Sequence, residues 1–155
     1  MAAIKTLEER MQVLEDVESI KKLKARYFRC VDGKRWDDLS KVFTEDAVTD
    51  YGMGRRFEGV NAILDFFKNR SNSGSEWVTG FHHGHNPEIE ITSSVTARGT
   101  WALYNYMIDK QTHVNKHFGA SYNDEYFKEK GEWKIKSTAV TFTVKEAWDR
   151  HEIPF

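Results

Sequence analysis

The sequence predicts an α+β fold: a cone-shaped α+β barrel in which N-terminal helices pack on one face of a strongly curved, mainly antiparallel sheet. Three observations lead there. Apolar residues recur every three or four positions through the first third of the chain. From Glu88 onward the period falls to two, in segments rich in aromatic and β-branched residues. No repeat, low-complexity tract or Pro/Gly-rich linker interrupts the 155 residues, so residues 1–155 are expected to form one domain. A curved sheet over helices leaves a conical pocket.

The first helix starts at Thr6, which with Glu9 matches a capping box. Its stripe runs through Leu7, Met11, Leu14, Val17, Ile20, Leu23, Tyr27 and Val31, and it ends near Gly33. Residues 1–16 form an N-terminal helical extension. Lys21, Lys22 and Lys24, close to Arg26, read as a solvated face of this helix. Trp36, Leu39 and Phe43 keep helical spacing for a second short helix. Ile63, Phe66 and Phe67 mark a third, between Gly59 and the loop Ser71-Asn72-Ser73-Gly74-Ser75.

Strands take over after that loop. Ile89 and Ile91 alternate with Glu88, Glu90 and Thr92; Val95 to Asp109 and His117 to Lys128 follow; a turn at Lys130-Gly131 leads into Trp133 to Thr143. Residues 144–155 form a C-terminal tail, whose segment from Trp148 to Ile153-Pro154-Phe155 either closes the pocket mouth or crosses to a neighbouring chain.

Charge and cysteine content exclude several classes. With 23 Lys and Arg against 24 Asp and Glu, a net charge of -1 offers no global attraction to nucleic acid or anionic lipid. The single Cys30 forms no intramolecular disulfide, and the N-terminus has no apolar run of signal-peptide or membrane-span type, so a cytoplasmic location is expected. Aromatics make up 14% of the chain, more than a small core needs, and an aromatic-walled cavity would use the excess.

Asp32 and His82 are the candidate catalytic pair. Histidine is the side chain that ordinarily titrates near neutrality; a carboxylate on one ring nitrogen fixes its tautomer and leaves the other free to take a proton. In a strand, His83 and His85 face away from His82. The spacing of His82 and His85 lacks a third metal ligand, and His113 with His117 lacks the glutamate of a zinc helix, so no metal is expected. Asn105 shares a strand face with Trp101, Leu103 and Met107, where a buried amide must find a partner in protein, water or ligand. Phe66, Phe67, Trp77, Phe81, Trp101, Tyr122 and Phe142 are candidate cavity walls.

The helix word Tyr27-Phe28-Arg29-Cys30-Val31-Asp32 with Trp36, the run His82-His83-Gly84-His85-Asn86-Pro87-Glu88, the strand Ala97-Arg98-Gly99-Thr100-Trp101 and the closing Gly131-Glu132-Trp133 resemble the SnoaL-like polyketide cyclase/dehydratase family of the nuclear transport factor 2-like superfamily. That family includes bile-acid 7-alpha-dehydratase and scytalone dehydratase. The likeness covers Val17 to Phe142. It implies a cone-shaped fold, cofactor-free chemistry, a catalytic aspartate at Asp32, a catalytic histidine at His82, a catalytic tyrosine at Tyr27 and a cavity tyrosine at Tyr51. The chain departs from bile-acid dehydratases at Asn105, where they are acidic, and at Phe142, where they are basic.

These residues imply a reaction. His82 abstracts a proton beside a substrate carbonyl, Asp32 stabilises the imidazolium, and Tyr27 or Tyr51 polarises the carbonyl or protonates the departing hydroxyl. Tyr27 and Asp32 are about 500° apart on a helix and share a face only loosely, unless Asp32 sits just past the helix end. The expectation is a dehydratase acting on a small, apolar, cyclic, oxygenated substrate of polyketide, steroid or aromatic-catabolic type. A ketosteroid-type isomerase or polyketide cyclase shares the first step. A non-catalytic binding protein, similar to the β subunits of ring-hydroxylating dioxygenases, is the other class. Exposed strand edges point to a homodimer or homotrimer.

Overall fold

The computed structural model describes residues 6–149 apart from Met53, Asn72 and Ser73. In chain order the elements are α1 (Leu7–Asp32), α2 (Trp36–Ser40), β1 (Phe43–Asp50), β2 (Arg56–Glu58), α3 (Val60–Asp65), a π-helical turn (Phe66–Arg70), β3 (Val78–Ile91), β4 (Thr96–Asp109), β5 (Val114–Glu129) and β6 (Glu132–Asp149). The six strands lie in the order β2-β1-β6-β5-β4-β3. All neighbours are antiparallel except β1 and β6. The sheet curls without closing, since β2 and β3 remain edges, and α1 packs against both β3 and β6. The α+β cone expected from the sequence is therefore the observed architecture.

Helix α1 begins with the capping box read from the sequence: Thr6 Oγ1 accepts from the Glu9 N–H, and the Glu9 carboxylate accepts from the Thr6 N–H. Its inward stripe, Ile20, Leu23, Tyr27, Phe28, Cys30 and Val31, is buried. Burial of such a side chain contributes roughly 1.5–3 kcal/mol. The first turns differ from expectation, because Leu7, Met11 and Leu14 are exposed and the buried face opens only at Asp16. Asp16 fastens α1 to the sheet, accepting from Lys128 Nζ at 2.6 Å and from Trp133 Nε1 at 2.9 Å.

The first half holds more strand than its sequence suggests. Phe43, expected in the second helix, opens β1 and is buried; α2 ends at Ser40, and the Val42 N–H turns back to the Leu39 carbonyl. Strand β1 escapes a period-two reading because its pairing with β6 shifts between Phe43 and Val48, and the exposed Glu45 and Asp46 break the alternation. Strand β6 runs on to Asp149, so that Trp148 of the expected tail pairs with Asn115 of β5. Ile153-Pro154-Phe155 lie outside the described residues. Among the described residues, no helix is long and apolar enough to cross a membrane.

Candidate active site

Asp32 is the last residue of α1. The next residue, Gly33, turns the chain, donating its N–H to the Arg29 carbonyl, which a Cβ at Gly33 would meet at 2.9 Å. The Asp32 carboxylate thus leaves the helix end toward β3 and holds His82 twice. Oδ1 lies 2.5 Å from Nδ1 of the ring, and Oδ2 accepts the His82 backbone N–H at 3.0 Å. Nδ1 therefore carries the proton donated to Asp32, and Nε2 is left to the cavity that His82 lines. The ring is further fixed by Phe28, which stacks on it at 5.9 Å between centroids. Gly84 makes room for this, since a Cβ there would lie 2.2 Å from the Phe28 ring.

The cavity holds about 460 Å³ between α1, the π-helical turn and the inner face of the sheet, within the range of small-molecule pockets. Strand register arranges the sheet wall in transverse rows. His82, Asn105, Phe118 and Lys145 pair in line across β3, β4, β5 and β6. One row deeper come Gly84, Leu103, Ala120 and Phe142; one row toward the opening come Gly80, Met107, Lys116 and Ala147. Asn105 is 3% exposed, and its Oδ1 has no hydrogen-bond partner within the protein.

Opposite this wall lies a tyrosine cluster. The Tyr27 and Tyr51 hydroxyls are 3.2 Å apart, and Tyr122 bonds to Tyr27 from the sheet side. Burial pushes all three phenols above their ordinary value, and at Tyr27 the neighbouring phenols add to the effect. They remain protonated donors at any physiological pH. Phe66 and Phe67 add aromatic wall, placed on successive positions where α3 widens into the π turn.

Of the residues singled out in the sequence, Tyr27, Tyr51, His82, Asn105, Tyr122 and Phe142 all line this one cavity, with Asp32 directly behind His82. Three aromatic assignments are corrected. Phe81 is 51% exposed and Trp77 is also exposed; β3 alternation turns Phe81 to the outer face when His82 points in. Trp101 faces inward but is buried beyond the cavity, donating its Nε1 hydrogen to the Tyr126 hydroxyl at 2.9 Å.

Lys24 is likewise not on a solvated face. It is 0% exposed, with Nζ 2.6 Å from Asp124 Oδ2 and 3.6 Å from the Tyr122 ring centroid, a charge contact rather than a well-directed hydrogen bond. Burial lowers the Lys24 pKa, and the Asp124 charge offsets part of that. The sequence reading also missed the cations of the cavity wall: Arg55, Lys116 and Lys145. Arg55 sits in a stretch assigned no element from the sequence and Lys145 in the segment read as tail, while alternation from Phe118 would have aimed Lys116 inward. His83 and His85 are exposed, as expected, and among the described residues no three His, Cys, Asp or Glu side chains gather as a metal site.

A long helix closing a curled six-stranded sheet, with polar groups projecting into the cone, defines the nuclear transport factor 2-like class of α+β folds. The family model described as SnoaL-like domain matches residues 12–139, and the chain belongs to that family. Solved structures share the fold at low identity. A proposed scytalone dehydratase from Novosphingobium aromaticivorans superposes with a TM-score of 0.82 at 19% identity, over 88% of this chain and 90% of that one. The hexachlorocyclohexane dehydrochlorinase LinA-type3 from Novosphingobium barchaimii gives 0.80 at 19%, over 90% and 94%. A protein from N. aromaticivorans described as having a nuclear-transport-factor-2-like, cystatin-like fold gives 0.72 at 18%, over 92% and 91%.

Proposed function

We propose that this protein is a cofactor-independent lyase that removes water from a hydroxylated cyclic ketone. The observation that carries the reading is the doubly held His82, whose Nδ1 and backbone N–H both bond Asp32 while its other nitrogen is left to an aromatic-walled cavity. The names of the similar structures, a dehydratase and a dehydrochlorinase, accord with it, since both reactions begin with loss of a proton from carbon.

In this reading His82 Nε2 takes the proton from the carbon beside the ketone, and Asp32 stabilises the imidazolium without being protonated. The electron pair of the broken C–H bond moves onto the ketone oxygen, which Tyr27 and Tyr51 meet with neutral O–H donors. Collapse of the enolate forms the new C=C bond and breaks the bond to the hydroxyl, which leaves as water with the proton returned from His82. Atoms and charge balance with no outside reagent. A positioned base typically contributes about 10²- to 10⁴-fold, which suits a proton already acidified by a ketone. Tyr122 joins the donor group, and Asn105 and Phe142 shape the substrate wall. If the proton returns to a different carbon instead, the same groups perform isomerisation.

The test is mass spectrometry of hydroxylated cyclic ketones, including a hydroxysteroid and a hydroxynaphthalenone, in deuterated buffer with wild type and His82→Gln. Water loss or deuterium uptake that disappears in the variant is expected. Activity indifferent to the substitution overturns the role of His82, and deuterium uptake without water loss selects the isomerase. Binding without either reaction returns the protein to the non-catalytic class. We further infer that the chain works in the cytoplasm as a homodimer or homotrimer that covers the exposed outer-face aromatics Phe81 and Tyr104; light scattering of the purified protein checks the assembly.

A further inference from the structure

The charged groups of the cavity wall are all of one sign. Among the described residues, Arg55, Lys116 and Lys145 line it, and no aspartate or glutamate does; Asp32, behind His82, is engaged by it with both oxygens. Arg55 and Lys116 are half-buried, and among the described residues neither has a carboxylate within ion-pair distance, although the Asp109 charge acts on Lys116 from further off. The Arg55 guanidinium is fixed rather than free to swing into water. Its Nε donates to the Gly52 carbonyl at 3.0 Å and its Nη2 to the Tyr51 carbonyl at 2.7 Å, within the turn that also carries Tyr51. Cations held on an aromatic cavity wall that carries no carboxylate of its own favour an anion there, because partial desolvation strengthens the attraction.

Asn105 points the same way, toward a polar ligand. It is almost completely buried on the cavity wall, and its Oδ1 lacks a partner, an arrangement that costs stability unless a ligand donor completes it. It sits directly beside His82 in the same row, one row from Lys116. Across two strands and one row, the Lys116 Cα lies about 12 Å along the sheet from that of His82. A ligand reaching both is longer than a single ring.

Resting on the proton-abstraction reading above, we propose that the substrate is a carboxylic acid: a cyclic hydroxyketone whose carboxylate is held by Arg55 and Lys116, with its hydroxyl donating to Asn105 and its reacting carbon against His82. The charge then serves binding and orientation at a point remote from the bond being broken. The neutral donors Tyr27 and Tyr51 remain for the oxygen that becomes negative during the reaction.

The experiment measures binding without turnover. A hydroxynaphthoic acid and the matching hydroxynaphthamide are titrated against wild type, Arg55→Gln, Lys116→Gln, the double variant and His82→Gln, by calorimetry and tryptophan fluorescence. The acid is expected to bind wild type about 10- to 100-fold more tightly than the amide, the scale of a charge-assisted contact. The preference falls in each cation variant, nearly vanishes in the double variant, persists in His82→Gln and weakens as salt rises. Equal binding of acid and amide, no binding of the acid at millimolar concentration, or a preference that survives the double variant overturns the proposal. Unchanged amide binding by Lys116→Gln shows that the fold is intact, so a loss through unfolding at Arg55 is recognised. Deuterium uptake dependent on His82 with no preference for acids leaves the lyase reading standing and removes only the carboxylate. The reverse result removes the lyase and keeps the anion site.

Discussion

Helix α1 meets the sheet through acid-base pairs at Asp16, Lys24 and Asp32, and the last two, eight residues apart, are built in opposite ways. At Lys24 the cation lies against Asp124 in a sealed space, over the Tyr122 ring; Asp124 also accepts from the Tyr126 and Thr138 hydroxyls. At Asp32 the carboxylate holds His82 through two contacts while a quarter of its side chain stays exposed and one ring nitrogen remains unused. One pair is closed off inside the protein, and the other leaves a ring nitrogen facing the cavity. The first locks the helix to the sheet, and the second is the pair to which the proposed chemistry is assigned.

The sharpest way to break this comparison is at the sealed pair. Lys24→Met strands the Asp124 charge in the core and should cost about 3–5 kcal/mol, read as a drop in Tm by calorimetry. Adding Asp124→Leu should recover much of that loss, because a well-packed apolar pair can replace a buried ion pair. A double variant no more stable than Lys24→Met would show that Asp124 serves chiefly the Tyr126 and Thr138 hydroxyls.

At the open pair the effect moves from stability to rate. His82→Gln should lower kcat by about 10²- to 10⁴-fold while changing Tm far less than Lys24→Met does. Gly84→Ala should disturb both properties: its methyl displaces Phe28, which stacks on His82. A cost of about 1–3 kcal/mol is expected for such overpacking, together with slower turnover at unchanged substrate affinity.

The smallest effect concerns pH. Burial by itself raises the Asp16 pKa, but hydrogen bonds from Lys128 and Trp133 and the Lys128 charge outweigh it and hold the carboxyl below its ordinary 3.8. Because the folded value is depressed, the stability it contributes is present above that ordinary value and is lost as pH falls through the folded value. Asp16→Asn should therefore lower stability at neutral pH by about 1 kcal/mol and flatten its decline in acid, as followed by urea titrations from neutral to acidic pH.

What could be read from the sequence followed the strength of local patterns. The cap at Thr6, the stripe from Ile20 to Val31 and the alternation of β4 and β5 are periodic signals long enough to survive tertiary packing. Strand β1 was hidden by its irregular pairing with β6, and the end of β6 by the polar residues after Phe142. In the site, His82 and Asn105 were legible as lining one cavity, and Asp32 as the partner of His82, because residue type and face suffice to suggest them, whereas Tyr27 came from the family resemblance. Phe81 and Trp101 were misplaced because aromatic character does not say which face or which depth a ring occupies. Lys24 was the largest misreading: a lysine among lysines gives no hint that it is buried against Asp124, a hundred residues away.

The transverse rows of the sheet have an evolutionary consequence. Since His82, Asn105, Phe118 and Lys145 stand on four different strands in one line, each can be exchanged without moving the others, because backbone hydrogen bonds rather than side chains hold their spacing. His82 at one end of the row can stay fixed while the other places are rewritten for a new molecule. With His82 as the proposed base, such a wall would let one proton-transfer centre be inherited across many substrates, with specificity changed a column at a time.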